Sequence, residues 1–154
     1  MNVLITEMPE IDFAPYLEHS SLEYAKEKQA SGAWPADLAL QNARAEISRL
    51  LPQGYFTPNH QFLSLVDALG RKVGILWLHI SPQRKEAFIY DFEIYEPYRD
   101  QGLGQTAMQA LFAYCRSLGL AKIRLHVFAH NARAHHVYEK LGFQATDINM
   151  SKFL

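Results

Sequence analysis

The chain has one cysteine, Cys115, so no internal disulfide can staple its fold. That residue falls in an apolar helical run and is expected to be a buried small hydrophobe. Without disulfides, a cytoplasmic protein is the expectation. No apolar stretch reaches the ~20 residues of a membrane-spanning helix. The first ten residues lack a basic segment followed by an apolar run, so neither a signal peptide nor a membrane partner is expected. Excess charge is missing too. Fifteen Lys and Arg against sixteen Asp and Glu give a formal net charge of −1, which offers nucleic acid no positive field. Repeats and low-complexity segments are absent. What remains is 154 residues, 49% hydrophobic, a size that suits one domain over 1–154 with one buried core.

Periodicity orders that chain. Residues 2–8 read as a first strand. A helical pattern with Phe13, Tyr16, Leu17, Tyr24 and Ala25 near one face runs to Gly32. Trp34 and Pro35 open a new element, and a second helix over 37–51 carries Leu40, Ala43, Ile47 and Leu50 as one stripe. After a loop at 52–60 come three strands, 61–67, 72–80 and 86–95. Short turns between them predict an antiparallel meander. The last third predicts a helix to Leu118, a strand over 122–128, a helix over 132–141 and a final strand. Gly119 and Gly142 sit just past the two helices, as C-caps require. Strand, helix and strand of this length make a parallel βαβ unit. The predicted fold class is therefore α/β with a mixed sheet, an antiparallel N-terminal meander joined to a parallel C-terminal half, and helices on both faces.

Arg99-Asp100-Gln101-Gly102-Leu103-Gly104 links a strand to a helix. A helix N-terminus presents unpaired N–H groups and a positive partial charge, which suits phosphate. Gly102 and Gly104 let a phosphate approach the backbone, Arg99 adds a cationic fork, and Gln105 and Thr106 extend the row of donors. The pattern is not a dinucleotide fingerprint, because Ala107 stands where a third glycine belongs and the loop follows a meander. Nor is it a P-loop, since no Gly-Lys-Ser/Thr follows. A tight turn without a ligand explains the loop equally well on its own. Downstream, Asn131 reads as an N-cap, and Ala134 and Tyr138 share a helix face. His130, His135 and His136 cluster nearby. Adjacent helical residues point about 100° apart, so His135 and His136 do not converge on one metal, and no metal is expected.

Together, R-D-Q-G-L-G and, some thirty residues later, N-A-R-A-H-H-V-Y-E-K-L-G-F resemble the GNAT superfamily of N-acetyltransferases. The shared pattern, Q/R-x-x-G-x-G/A then N-x-x-A-x-x-x-Y-x-x-x-G-F, is matched at Arg99, Gly102, Gly104, Asn131, Ala134, Tyr138, Gly142 and Phe143. The stretches F-I-Y-D-F-E-I-Y-E-P-Y-R and L-H-V-F-A-H-N are similar to a small bacterial branch of that superfamily.

The resemblance implies direct transfer of an acetyl group from acetyl-CoA to an amine, on a small molecule or a peptide, in a monomer or homodimer. It implies phosphate binding by the N–H groups of Gln101, Gly102, Leu103, Gly104, Gln105 and Thr106, with Arg99 and Asn131 beside them. The pantetheine arm would lie between two splayed strands, at Ile94 and Tyr95. The N–H of Ile94 would face the thioester oxygen. Tyr138 maps to the tyrosine that protonates the leaving thiolate, a task for which a phenol near pKa ~10 needs local help. For the base that deprotonates the amine, Glu93 and His126 both qualify, and a water chain is a third route. Tyr24, Glu27, Trp34 and His60 are acceptor-side candidates, though residues of each kind are more often packing or surface than ligand contacts, and Arg133 can reach a phosphate or simply face solvent. Alternative readings are a protein N-terminal or lysine acetyltransferase, a non-catalytic acyl-CoA sensor, and a nucleotide-binding protein.

Overall fold

Apolar strands, the central two of them buried in continuous runs on both faces, build one five-stranded sheet in the computed structural model, which describes residues 2–154. The strands are β1 (Val3–Glu7), β2 (His60–Asp67), β3 (Lys72–Ser81), β4 (Glu86–Ile94) and β5 (Lys122–Leu125), in spatial order 1-2-3-4-5. Neighbours from β1 to β4 are antiparallel, and β4 and β5 are parallel. Four helices cover the sheet: α1 (Phe13–Ala30), α2 (Ala39–Leu50), α3 (Leu103–Ser117) and α4 (Ala132–Lys140). On one face Leu65, Leu76, Leu78 and Ile89 pack against Leu103, Met108, Leu111 and Cys115 of α3. On the other, Phe62, Ile75 and Trp77 meet Tyr16 of α1 and Ile47 of α2. The mixed sheet with helices on both faces is thus as predicted, and Cys115 is buried in the α3 layer. No helix among the described residues is long and apolar enough to cross a membrane.

Two irregularities in the sheet shape everything that follows. In the first, Trp77 pairs with Asp91 and Leu78 with Ile89, so Tyr90 is an extra residue on β4. Two residues opposing one make a β-bulge, which bends a strand and disrupts its ladder. In the second, β4 and β5 pair only from Glu86↔Lys122 to Ile89↔Leu125. Beyond the bulge β4 runs on to Ile94 without β5. Gly74 on β3 lets β4 approach there, since a Cβ at Gly74 would stand 2.2 Å from the carbonyl oxygen of Glu93.

Several predicted boundaries need correction. The strand expected over 122–128 ends at Leu125, so His126 lies past it and not on it. The bulge turns β4 away, and 126–128 have no ladder to join. The expected final strand does not form: the segment after Gly142 carries no strand hydrogen bonding. Beyond Phe143, which packs on Phe112 and Tyr138, its large apolar residues find no face to bury, with Ile148 80% and Met150 91% exposed. The strand expected over 86–95 ends at Ile94, because a single 3-10 turn, Glu96–Tyr98, begins with Pro97 inside it.

Candidate active site

The site starts at the unpaired end of β4. Successive residues in a strand direct their N–H groups to opposite edges. Tyr95 donates its N–H to Val73 on the β3 side, at 2.8 Å. Ile94 therefore turns its N–H toward the edge that β5 has left. On the same edge the Ile94 carbonyl accepts the Nε–H of Arg99 at 2.7 Å.

The chain then turns into α3. Gly102, the N-cap, is left-handed at φ 78°, and Asp100 before it has φ 61°. The first amide of this turn with an acceptor is that of Thr106, which donates to the carbonyl of Gly102 at 3.2 Å. No hydrogen bond among the described residues engages the N–H groups of Gln101, Gly102, Leu103, Gly104 or Gln105. A Cβ at Gly102 would meet nothing within 4 Å, and one at Gly104 would meet only Cγ1 of Ile94, at 3.9 Å. An empty approach, a row of free donors and a helix dipole together fit a phosphate-bearing ligand. Leu103 itself is buried in the α3 core, so its side chain anchors the turn while its amide faces outward. The Thr106 hydroxyl is turned back to the Gly102 carbonyl, at 3.1 Å.

Helix α4 brings the second motif to this edge. Asn131 caps it, its Oδ1 accepting the N–H of Ala134 at 3.2 Å. Arg133 reaches Asp100 at 2.9 Å, joining the start of α4 to the glycine turn. Tyr138 packs edge-on to Phe143, with ring centroids 5.6 Å apart, and against the α3 core. Burial raises its pKa, and the charge of Asp91 raises it further. Both effects make the phenol a weaker acid in this state, so it suits a hydrogen bond to sulfur better than early proton release.

The α1 side supplies different chemistry. Before the bulge, Ala87 and Ile89 face α3. After it, Phe92 and Ile94 do so, and Asp91 and Glu93 turn to α1. Tyr16 donates its O–H to Oδ2 of Asp91 at 2.7 Å. Burial pushes the Asp91 carboxyl up to about 6, against the opposing hydrogen bond from Tyr16. Glu93 lies 3.1 Å from Nε2 of His19 and 3.6 Å from Arg99. His130 meets Glu27 of α1 at 2.8 Å. Helix α1 thus runs along the splayed end of β4 opposite α3.

Not all the predicted residues gather here. The outward amide of Ile94 and the free amides from Gln101 to Gln105 lie on either side of the Glu96–Tyr98 turn, with Cγ1 of Ile94 3.9 Å from where a Cβ of Gly104 would stand. Tyr95 does not join them, because its amide is tied to Val73 and its ring packs on the α1–α2 core. Arg99 points back at Ile94 and Glu93. His126 is exposed just past β5, its ring edge-on to Phe128. His60 accepts the Trp77 indole N–H at 3.0 Å, and burial lowers its pKa to about 4. Tyr24 donates to Glu46 and stacks edge-on to Trp34, with Lys28 over both rings. Among the described residues no three His, Cys, Asp or Glu side chains converge as for a metal ion. Sequence reasoning missed Asp91, Tyr16 and His19. Strict alternation from Ala87 and Ile89 puts Asp91 on the α3 face, and only an unexpected bulge moves it.

Comparison with known proteins fits this geometry. A model of the acetyltransferase (GNAT) family matches residues 17–143. The N-acetyltransferase YycN of Bacillus subtilis (strain 168) is 44% identical with full coverage of both chains, and YdgE of the same organism is 36% identical over all of this chain and 99% of its own. The crystal structure of YycN superposes with a TM-score of 0.95 at 42% identity, covering 99% of each chain. A spermidine N-acetyltransferase from Vibrio cholerae, in complex with CoA and spermine, shares the fold at a TM-score of 0.71 and 18% identity, covering 99% of this chain and 87% of its own. A family model spanning most of the sequence, a full-length relative and a matching glycine turn lead to one conclusion: this chain belongs to the GNAT family of acetyltransferases.

Proposed function

We propose that residues 1–154 act as one N-acetyltransferase domain that moves an acetyl group from acetyl-CoA to a primary amine by direct attack in a ternary complex. The observation that carries this is a strand edge at Ile94 that β5 has left, followed after one 3-10 turn by a row of free helix-start amides from Gln101 to Gln105. That is the shape of a ligand with an amide-rich arm ending in phosphates, since the arm can pair with a strand edge like an added strand. Acetyl-CoA supplies a thioester that an amine can attack.

The chain's own residues divide the work. Amides of Gln101 to Gln105 hold the pyrophosphate, and Gly102 and Gly104 keep its approach clear. The N–H of Ile94 faces the thioester oxygen, where negative charge develops. Tyr138 donates a hydrogen bond to the departing sulfur. Asn131 keeps α4, and so Tyr138, at the right height. The amine comes from the α1 side, where Glu93 and Asp91 stand. The complex of CoA and spermine in the V. cholerae enzyme supports including polyamines among the acceptors tried.

Thermal shift with acetyl-CoA, CoA, ATP and NAD tests the donor. Stabilisation by the first two is expected, and stabilisation by ATP alone would defeat the reading. CoA release against spermidine, kanamycin, lysine and a peptide with a free N-terminus then tests the transfer.

A further inference from the structure

Past its bulge, β4 sends two carboxylates toward α1, and they are not equivalent. Glu93 is held between His19 and Arg99, at 3.1 and 3.6 Å. Asp91 has no cation in ion-pair contact among the described residues. Its near partner is the Tyr16 hydroxyl, 2.7 Å from Oδ2. The titratable and charged groups around it are Tyr16 and His19 from α1, Glu93 on its own strand, Tyr95 just past the strand's end and Tyr138 from α4. A half-buried carboxylate with neutral donors and no paired cation is a poor way to stabilise a fold. It is a good way to keep a proton acceptor on the α1 side of the splayed end of β4.

We propose that Asp91 is the general base that takes the acceptor's ammonium proton, with Tyr16 as the positioning residue that holds its carboxylate. This rests on the acetyltransferase reading above. In the step, Oδ of Asp91 accepts one proton from R–NH3⁺. The nitrogen lone pair of R–NH2 then forms a bond to the acetyl carbon. The C–S bond breaks with its electron pair on sulfur, which takes the proton of Tyr138. The second nitrogen proton restores the Tyr138 phenol, and Asp91 returns its proton to solvent. The two groups are linked. The charge of Asp91 is one of the causes that weaken Tyr138 as an acid. Once Asp91 has taken a proton that charge is gone, and Tyr138 becomes the better donor when the thiolate leaves.

The test is the pH dependence of kcat/KM, with acetyl-CoA saturating and the best amine of the four-member panel. Wild type should lose activity as pH falls through an acid limb near 6, where the Asp91 carboxyl titrates. Asp91→Asn, nearly isosteric, should lower kcat about 100-fold and abolish the limb, while acetyl-CoA Kd stays within about twofold. Tyr16→Phe should keep the limb but move it to higher pH, because the lost O–H bond favoured the charged form. A merely structural Tyr16 would leave the limb in place. If Asp91→Asn keeps both rate and limb in an otherwise active enzyme, this inference alone fails. The same holds if Glu93→Gln or His126→Ala erases the limb instead. If wild type neither binds acetyl-CoA nor releases CoA with any of the four amines, the transferase reading fails and this inference goes with it.

Discussion

The two sides of the splayed β4 are built from different materials. The α3 side uses backbone: amides from Gln101 to Gln105, the left-handed Gly102 and the edge of Ile94. The α1 side uses side chains from distant parts of the chain. Tyr16 and Asp91 are 75 residues apart, and His19 and Glu93 are 74 apart. Backbone donors at a helix start are almost indifferent to side-chain identity, so they suit a donor that never varies. Side-chain contacts change with single substitutions, so they suit the part of a site where acceptors differ.

Four substitutions separate the sides, from the largest effect downward. Gly74→Ala should destabilise the protein by about 3 kcal/mol or more in urea unfolding, because the new Cβ cannot share space with the Glu93 carbonyl. It strikes the strand pair that both sides depend on. Gly104→Val is confined to the α3 side. A Cβ there meets only Ile94, at 3.9 Å, so the free protein should keep its Tm while acetyl-CoA Kd rises about 100-fold. An unchanged Kd would mean that phosphate does not approach there.

The third is confined to the α1 side and concerns stability. The Asp91 carboxyl is raised from 3.8 to about 6 on folding, mainly by burial. Its stabilising share is complete below about pH 3.8, falls as pH rises through about 6, and stays lost above that. Asp91→Asn should therefore be more stable than wild type by about 2 kcal/mol at pH 8, with the gain shrinking toward pH 4. Denaturant midpoints at the two pH values measure it. A variant that is both more stable and less active would mark Asp91 as kept for function. Last, Tyr138→Phe should lower kcat about tenfold while leaving the acetyl-CoA KM nearly unchanged. An unchanged kcat would make the ring a packing element only.

Much of the donor side was readable from the chain. The glycines of the turn, the cap at Asn131 and the spacing to Tyr138 are local signals, set by φ angles and helix ends within a few residues. The meander was readable for the same reason, since short turns force antiparallel neighbours. The acceptor side was not readable. Asp91 looks like one of two alternate residues on a regular strand, and nothing in F-I-Y-D-F-E-I announces the extra residue at Tyr90. Gly74 likewise gives no sign that another backbone will pass within contact of it. The expected final strand failed for a related reason: a strand needs an edge and a buried face, and Ile148 and Met150 find neither.

The sequence by itself determined the order of elements through α4, the two-faced mixed sheet and the open glycine turn at the start of α3, because these follow from periodicity, capping and glycine conformations that act over one or two turns. Only the tertiary structure decided where β4 parts from β5 and which carboxylate meets Tyr16. A bulge reverses every side chain beyond it, and that reversal is settled by packing Phe92 and Ile94 against α3 on one face while Asp91 meets Tyr16, 75 residues away in the chain, on the other.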